Sequence, residues 1–79
     1  MMRIMVDKSL IQKYGKKVSP KQGDRVKVMR GDFKGKEGKV IAVDRKRGYL
    51  YIDTILRKDA RGKETHIGVH HSNVKLMNR

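Results

Sequence analysis

The residues best equipped for chemistry in this chain are cations gathered at turns. Arg30, Lys34, Lys36 and Lys39 crowd a glycine-spaced stretch, Arg30-Gly31-Asp32-Phe33-Lys34-Gly35-Lys36, with the aromatic Phe33 at its centre. Arg45-Lys46-Arg47 marks a second turn, Arg57, Lys58, Arg61 and Lys63 a third, and Lys16, Lys17 and Lys21 lie ahead of them all. Clustered lysine and arginine suit phosphate, through charge-assisted hydrogen bonds and release of condensed counterions. Gly31 and Gly35 permit either left-handed backbone or close approach of amide groups to phosphate, whereas Gly38 reads as a glycine of conformation or close packing. Phe33, if exposed, can stack on an unpaired base or pack against ribose. The competing reading folds it back over the mouth of the core. A nucleotide P-loop is excluded, because Glu37 follows Gly35-Lys36 where Ser or Thr is required.

Other chemistries find little to work with. His66, His70 and His71 make a metal trio only on paper, since no cysteine accompanies them, and neither a metal nor any other cofactor is expected. His70 with Ser72 and Asn73 instead suggests a turn whose polar groups hydrogen-bond backbone or RNA. Three Ser, two Thr and no Cys supply few nucleophiles, and no carboxylate pair stands at a recognisable spacing. A domain this small has little room for an enzyme's pocket, so neither catalysis nor a small-molecule substrate is expected.

The whole chain shares the sign of its turns. Its 79 residues carry 21 Lys+Arg against 8 Asp+Glu, a formal net charge of +13, and the apolar and charged fractions are equal at 37%. Residues 1–22 hold six positive and one negative side chain and residues 23–79 fifteen and seven, so the charge is not a basic tail on a neutral domain. Self-repulsion on this scale disfavours compaction unless a polyanion relieves it. Nucleic acid is the expected counter-charge, ahead of acidic membranes or acidic proteins. No stretch approaches the ~20 apolar residues of a membrane span, and Arg3 interrupts what would be a signal peptide's apolar core. No membrane association is expected.

The elements that must position these cations follow from periodicity. Residues 1–19 read as a basic arm, in which Asp7 caps a short helix with Leu10, Ile11 and Tyr14 on one side and Gly15 as its left-handed terminator. Two turns of helix are marginal alone, so the arm must dock. Pro20 opens an extended link into a second unit, residues 20–79. There the period becomes two: strands are predicted at 25–28, 37–43, 49–52, 65–69 and 74–77, with a bulge near Gly38 where Val40 and Val43 break alternation. Leu50 and Ile52 should face the core, with Tyr49 and Tyr51 on the other side. Gly48 and Gly62 close turns, and Ser72-Asn73 favours one helical turn before the last strand. Five short strands joined by frequent turns imply an all-β fold, a small, closed, strongly bent sheet.

Residues 23–40, Gly23-Asp24-Arg25-Val26-Lys27-Val28-Met29-Arg30-Gly31-Asp32-Phe33-Lys34-Gly35-Lys36-Glu37-Gly38-Lys39-Val40, resemble a KOW motif, two strands joined by a Gly- and Lys-rich loop inside an SH3-like barrel. Together with the basic hairpin 57–64 and His70 followed by Ser72-Asn73-Val74, they resemble the archaeal and eukaryotic form of the large-subunit ribosomal protein twenty-four family over residues 7–77. Members of that family usually carry a longer basic N-terminal extension, a longer C-terminal tail, and a proline where His71 stands. The resemblance implies an SH3-like barrel of about five strands with a short N-terminal helical arm. It further implies a structural constituent of the large ribosomal subunit, in the cytoplasm. Such a protein binds large-subunit ribosomal RNA near its 5′ region, early in assembly, beside neighbouring ribosomal proteins and the polypeptide exit tunnel, without forming a homo-oligomer of its own. Two other readings compete: a KOW protein-interaction module of the transcription elongation type, contacting RNA polymerase or nascent RNA, and an unspecific cationic RNA chaperone.

Overall fold

The computed structural model describes residues 2–78. Seven strands form one sheet: β1 (Ile4–Val6), β2 (Lys17–Val18), β3 (Arg25–Val28), β4 (Glu37–Asp44), β5 (Tyr49–Lys58), β6 (Glu64–His70) and β7 (Val74–Asn78). A single helical turn, α1 (Ile11–Tyr14), follows a 3-10 turn at Lys8–Leu10, and a second 3-10 turn, His71–Asn73, joins β6 to β7. The strand order is β2-β1-β7-β3-β4-β5-β6. All pairings are antiparallel except β1 with β7. The five strands expected from alternation are β3 to β7, and the fold is the small all-β, barrel-like one. Among the described residues no helix is long and apolar enough to cross a membrane.

The N-terminal segment does more than carry a helix. Asp7 caps the first turn as its sequence position suggests, its carboxylate accepting from the Ser9 backbone N–H and hydroxyl. Gly15, at φ +86°, ends α1 by donating its N–H to the Ile11 carbonyl at 2.7 Å. Ahead of them, however, β1 runs parallel to β7 and buries Ile4 and Val6, with Met2 beside them, in the common core. That strand was not anticipated. The Asp7 N–H donates to Leu76 O at 2.9 Å, and Lys75 Nζ lies 2.9 Å from the Asp7 carboxylate, so backbone and charge both fasten the segment to β7.

The core is aliphatic and draws on every long strand: Val26 and Val28 of β3, Val40 of β4, Leu50, Ile52 and Ile55 of β5, Val69 of β6, and Val74 and Leu76 of β7. Two irregularities let so few side chains enclose it. The bulge in β4 falls between Val40 and Ala42, not near Gly38. Gly38 serves a different need: a Cβ there would collide with the side chains of Ile52, Asp53 and Thr54, so β5 can cross close above β4 only because residue 38 has none. Where the ladder between these strands stops, side chains take over. The Lys39 N–H donates to Asp53 Oδ1 at 2.9 Å, and the Thr54 hydroxyl donates to the Glu37 carbonyl at 2.7 Å.

The second irregularity lies in β5, whose pairing with β6 shifts register between Tyr51 and Leu56. It returns Ile55 to the core three residues after Ile52. Beyond it β5 continues to Lys58, six residues past the predicted end, because it pairs with β6 as a two-stranded ribbon. Residues 56–66 are all exposed, and the molecule measures 46 × 25 × 21 Å.

Candidate nucleic-acid interface

The loop joining β3 to β4 is a closed structure in its own right. The Val28 N–H donates to Lys36 O and the Gly35 N–H to Val28 O, both at 2.8 Å, while Lys34 and Lys36 donate back to Gly31 and Phe33 carbonyls. Gly31 and Gly35 stand at φ +93° and +91°, where side-chain-bearing residues are strained. Their conformational role is thus explicit. The Gly35 amide is already bonded inside the loop, which favours the conformational reading at that position. Phe33 is half-buried and packs against the core, as in the folded-back reading, so it is not the free platform that an exposed tip would present. Arg30, Lys34 and Lys36 are exposed around it.

Two neighbouring turns are tied to this loop. The Met29 N–H donates to the Asn73 carbonyl at 2.6 Å, which joins the loop to the His71–Asn73 turn. The His71 N–H donates to Gly48 O at 3.0 Å, which joins that turn to the β4–β5 turn. His70 organises the junction: its Nδ1 accepts from the Ser72 N–H at 3.2 Å and lies 2.7 Å from the Ser72 hydroxyl. His70 and Ser72 are therefore engaged with each other, and the half-buried Asn73 couples two loops through its carbonyl.

In the β4–β5 turn Asp44 Oδ1 accepts the Arg47 N–H at 3.2 Å, and the Arg47 guanidinium approaches Asp44 only to 4.0 Å. Lys46 is exposed beside them. Arg45 reaches across to Ser19 Oγ (3.2 Å) and Pro20 O (3.4 Å), so it bridges this turn to the link after β2 while both partners leave its charge uncompensated. Lys21 is exposed on that link, and Lys17 of β2 and Lys16 just before it are exposed as well. The buried Asp24 accepts the Lys21 N–H at 2.9 Å and holds the turn that presents Lys21.

The β5–β6 hairpin is a separate outpost. Asp59 Oδ1 accepts the N–H groups of Arg61 and Lys63, each at 2.9 Å, the Gly62 N–H donates to Asp59 O, and Gly62 takes φ +81°. The one acid of the tip is spent on backbone. Arg57, Lys58, Arg61 and Lys63 make no ion pair among the described residues, and the same holds for Arg30, Lys34, Lys36 and Lys39. No described hydrogen bond joins the tip to the loops above.

Two candidates escaped the sequence reading. Arg25 stands directly opposite Lys39 in the β3–β4 ladder, with Gly23 and Asn78 lining the same shallow cleft of about 340 Å³. Like charges facing each other across a ladder destabilise it unless an anion intervenes. The pairing register, which alternation does not fix, is the missing signal. His71 is the second. Its ring lies 4.4 Å from that of His70, and burial, then the neighbouring His70, pushes its pKa down. Its Nδ1 is buried without a partner among the described residues. It lines, with Arg45, Lys46, Arg47 and His70, a cleft of about 460 Å³. His66 is exposed on the hairpin, and no three potential ligands gather to hold a metal among the described residues.

Comparison with known proteins adds an independent line. Residues 22–56 match the KOW motif family. The chain is 46% identical over 72 residues to large ribosomal subunit protein uL24 of Korarchaeum cryptofilum, a match covering 90% of this chain and 55% of that protein. It is 44% identical over 70 residues to large ribosomal subunit protein uL24 of Sulfolobus acidocaldarius, covering 87% and 52% respectively. The chain thus spans about half the length of the curated relatives it matches.

Proposed function

We propose, from its KOW motif and its match to archaeal uL24 proteins over most of its own length, that this chain is a uL24-type structural constituent of the large ribosomal subunit that binds ribosomal RNA through its basic turns. The observation that carries the reading is where the uncompensated charge sits. Exposed cations occupy the β3–β4 loop, the β4–β5 turn, the hairpin tip and the link after β2, while the acids of those turns are largely bonded to backbone amides.

RNA helices are read through shape, phosphate and 2′-hydroxyls, so a rigid body with cations on several turns can bridge segments without reading their sequence. Most of the free energy comes from counterions released as phosphates are neutralised. We further propose, on the family resemblance, that the chain joins the RNA early in assembly, in the cytoplasm, and comes to rest near the exit tunnel beside neighbouring ribosomal proteins. Catalysis has no part in this role.

The test is the salt dependence of binding to large-subunit ribosomal RNA. If about 6–10 phosphates are contacted, raising salt from about 50 to 200 mM should weaken binding on the order of 10³-fold. A flat response would remove the mechanism.

A further inference from the structure

Three of the seven ring side chains (three Tyr, one Phe, three His) line a single cleft of about 310 Å³: Phe33, Tyr49 and His70. The sheet register places them there. Tyr49 is the direct partner of His70 in the β5–β6 ladder, and their rings meet edge to face at 6.1 Å and 85°. His70 is held in orientation by Ser72, and Phe33 by its packing on the core. Gly68 keeps the floor open: a Cβ there would sit 3.2–3.3 Å from Tyr49 and crowd its ring. Arg30 and Asn73 stand at the walls.

Two features give this cleft a chemistry. Tyr49 remains 38% exposed in a chain whose core is short of apolar side chains, and a preset aromatic wall is what a planar base needs. The cleft also shares His70 with the adjoining one lined by Arg45, Lys46 and Arg47. Rings on one side and cations on the other match the two ends of a nucleotide, base and phosphate. We propose that the Phe33–Tyr49–His70 cleft takes one unpaired RNA base, with an adjoining phosphate held at the Arg45–Arg47 turn. This inference rests on the RNA-binding reading above and names a site within it.

The experiment compares two labelled 12-nucleotide single strands at one salt concentration, an ordinary mixed-sequence RNA and an oligomer of the same length and charge built of abasic ribose. The whole chain should bind the first about 5- to 100-fold more tightly, the range that stacking of one base supplies. Tyr49→Ala should erase that difference, and Tyr49→Phe should keep it. In the unsubstituted chain, NMR should show the ring protons of Phe33, Tyr49 and His70 shifting with the base-bearing strand and not with the abasic one. That readout holds even if Tyr49→Ala folds poorly. Equal affinity for the two strands, with steep salt dependence for both, would overturn the cleft and leave the RNA reading standing. Failure to bind either strand, or ribosomal RNA, would overturn both. Photocrosslinks from Tyr49 to protein instead of RNA in whole subunits would assign the cleft to a protein side chain and overturn it as well.

Discussion

The β3–β4 loop presents three cations and the β5–β6 hairpin four, yet they are built in opposite ways. The loop is bonded to Val28 and Asn73 and roofed by Phe33 against the core, so its cations project from a frame that is set before any partner arrives. The hairpin stands clear of the core from residue 56 to 66, held by its own ladder and by the Asp59 carboxylate at its tip. Charge count alone does not capture this difference. A preset surface loses little freedom on binding, whereas a projecting ribbon must be ordered and offsets part of its electrostatic gain. The loop should therefore contribute more affinity per charge, and the hairpin more reach.

The sharpest way to break this contrast is at the hairpin's root. Ile55 is buried and its neighbour Leu56 is 36% exposed, so the boundary between core and ribbon should fall between adjacent residues. Ile55→Ala should cost about 2–5 kcal/mol in urea unfolding, and Leu56→Ala less than about 1 kcal/mol. Similar losses from both would mean that the ribbon belongs to the core.

A smaller effect separates the two regions in binding. Lys34→Ala with Lys36→Ala should weaken affinity for large-subunit ribosomal RNA on the order of 10- to 100-fold and lower the salt slope by about two, with thermal stability nearly unchanged. Arg61→Ala with Lys63→Ala should lower the slope equally while losing less affinity. An equal loss from the two pairs, measured by filter binding at one salt concentration, would erase the distinction. Hydrogen exchange sharpens it further: the amides of Val28, Met29 and Gly35 should be well protected, and those of Arg61, Gly62 and Lys63, bonded only within the exposed tip, should exchange markedly faster.

The smallest expected effect concerns the N-terminal segment. Hydrogen bonds from Ser9, then from Lys75, hold the Asp7 pKa at about 2 against an ordinary 3.8. The folded state thus binds fewer protons than the unfolded one at this site, and stability rises with pH across that interval. Asp7 contributes its full share above about pH 4 and loses it as pH falls toward 2. Asp7→Asn should therefore flatten this part of the Tm-against-pH curve, with little change in the slope above pH 5. An unaltered acid limb would show that Ser9 and Lys75 do not hold the Asp7 carboxylate in its charged form.

The strands β3 to β7, the Asp7 cap, the Gly15 terminator and the basic turns were all legible because each is written in neighbouring residues: alternation, a capping carboxylate, a glycine after a helical turn. What escaped depends on partners distant in sequence. Strand β1 has the right alternation in Met2, Ile4 and Val6, but it is three residues long and acquires its meaning only against β7. The break in alternation between Val40 and Val43 signals a bulge but not its place, and Gly38 answers instead to Asp53 and Thr54 across the sheet. Arg25 became a candidate only once the register set it against Lys39. The loop composition offered Phe33 as either exposed or folded back, and packing on a core assembled from other strands decides for the latter. Composition announced an excess of positive charge that a polyanion would relieve. The turns that present the charge had to be seen together to show how.

The central claim is that these cations find their counter-charge in ribosomal RNA, and lysine acylation tests it most directly. Purified large subunits and the free chain are treated with a small acylating reagent, and the modified lysines are read by mass spectrometry. The account predicts that Lys34, Lys36, Lys58 and Lys63 react readily in the free chain, are protected in the subunit, and become reactive again after ribonuclease digestion. Equal reactivity in the intact subunit and in the free chain would contradict it.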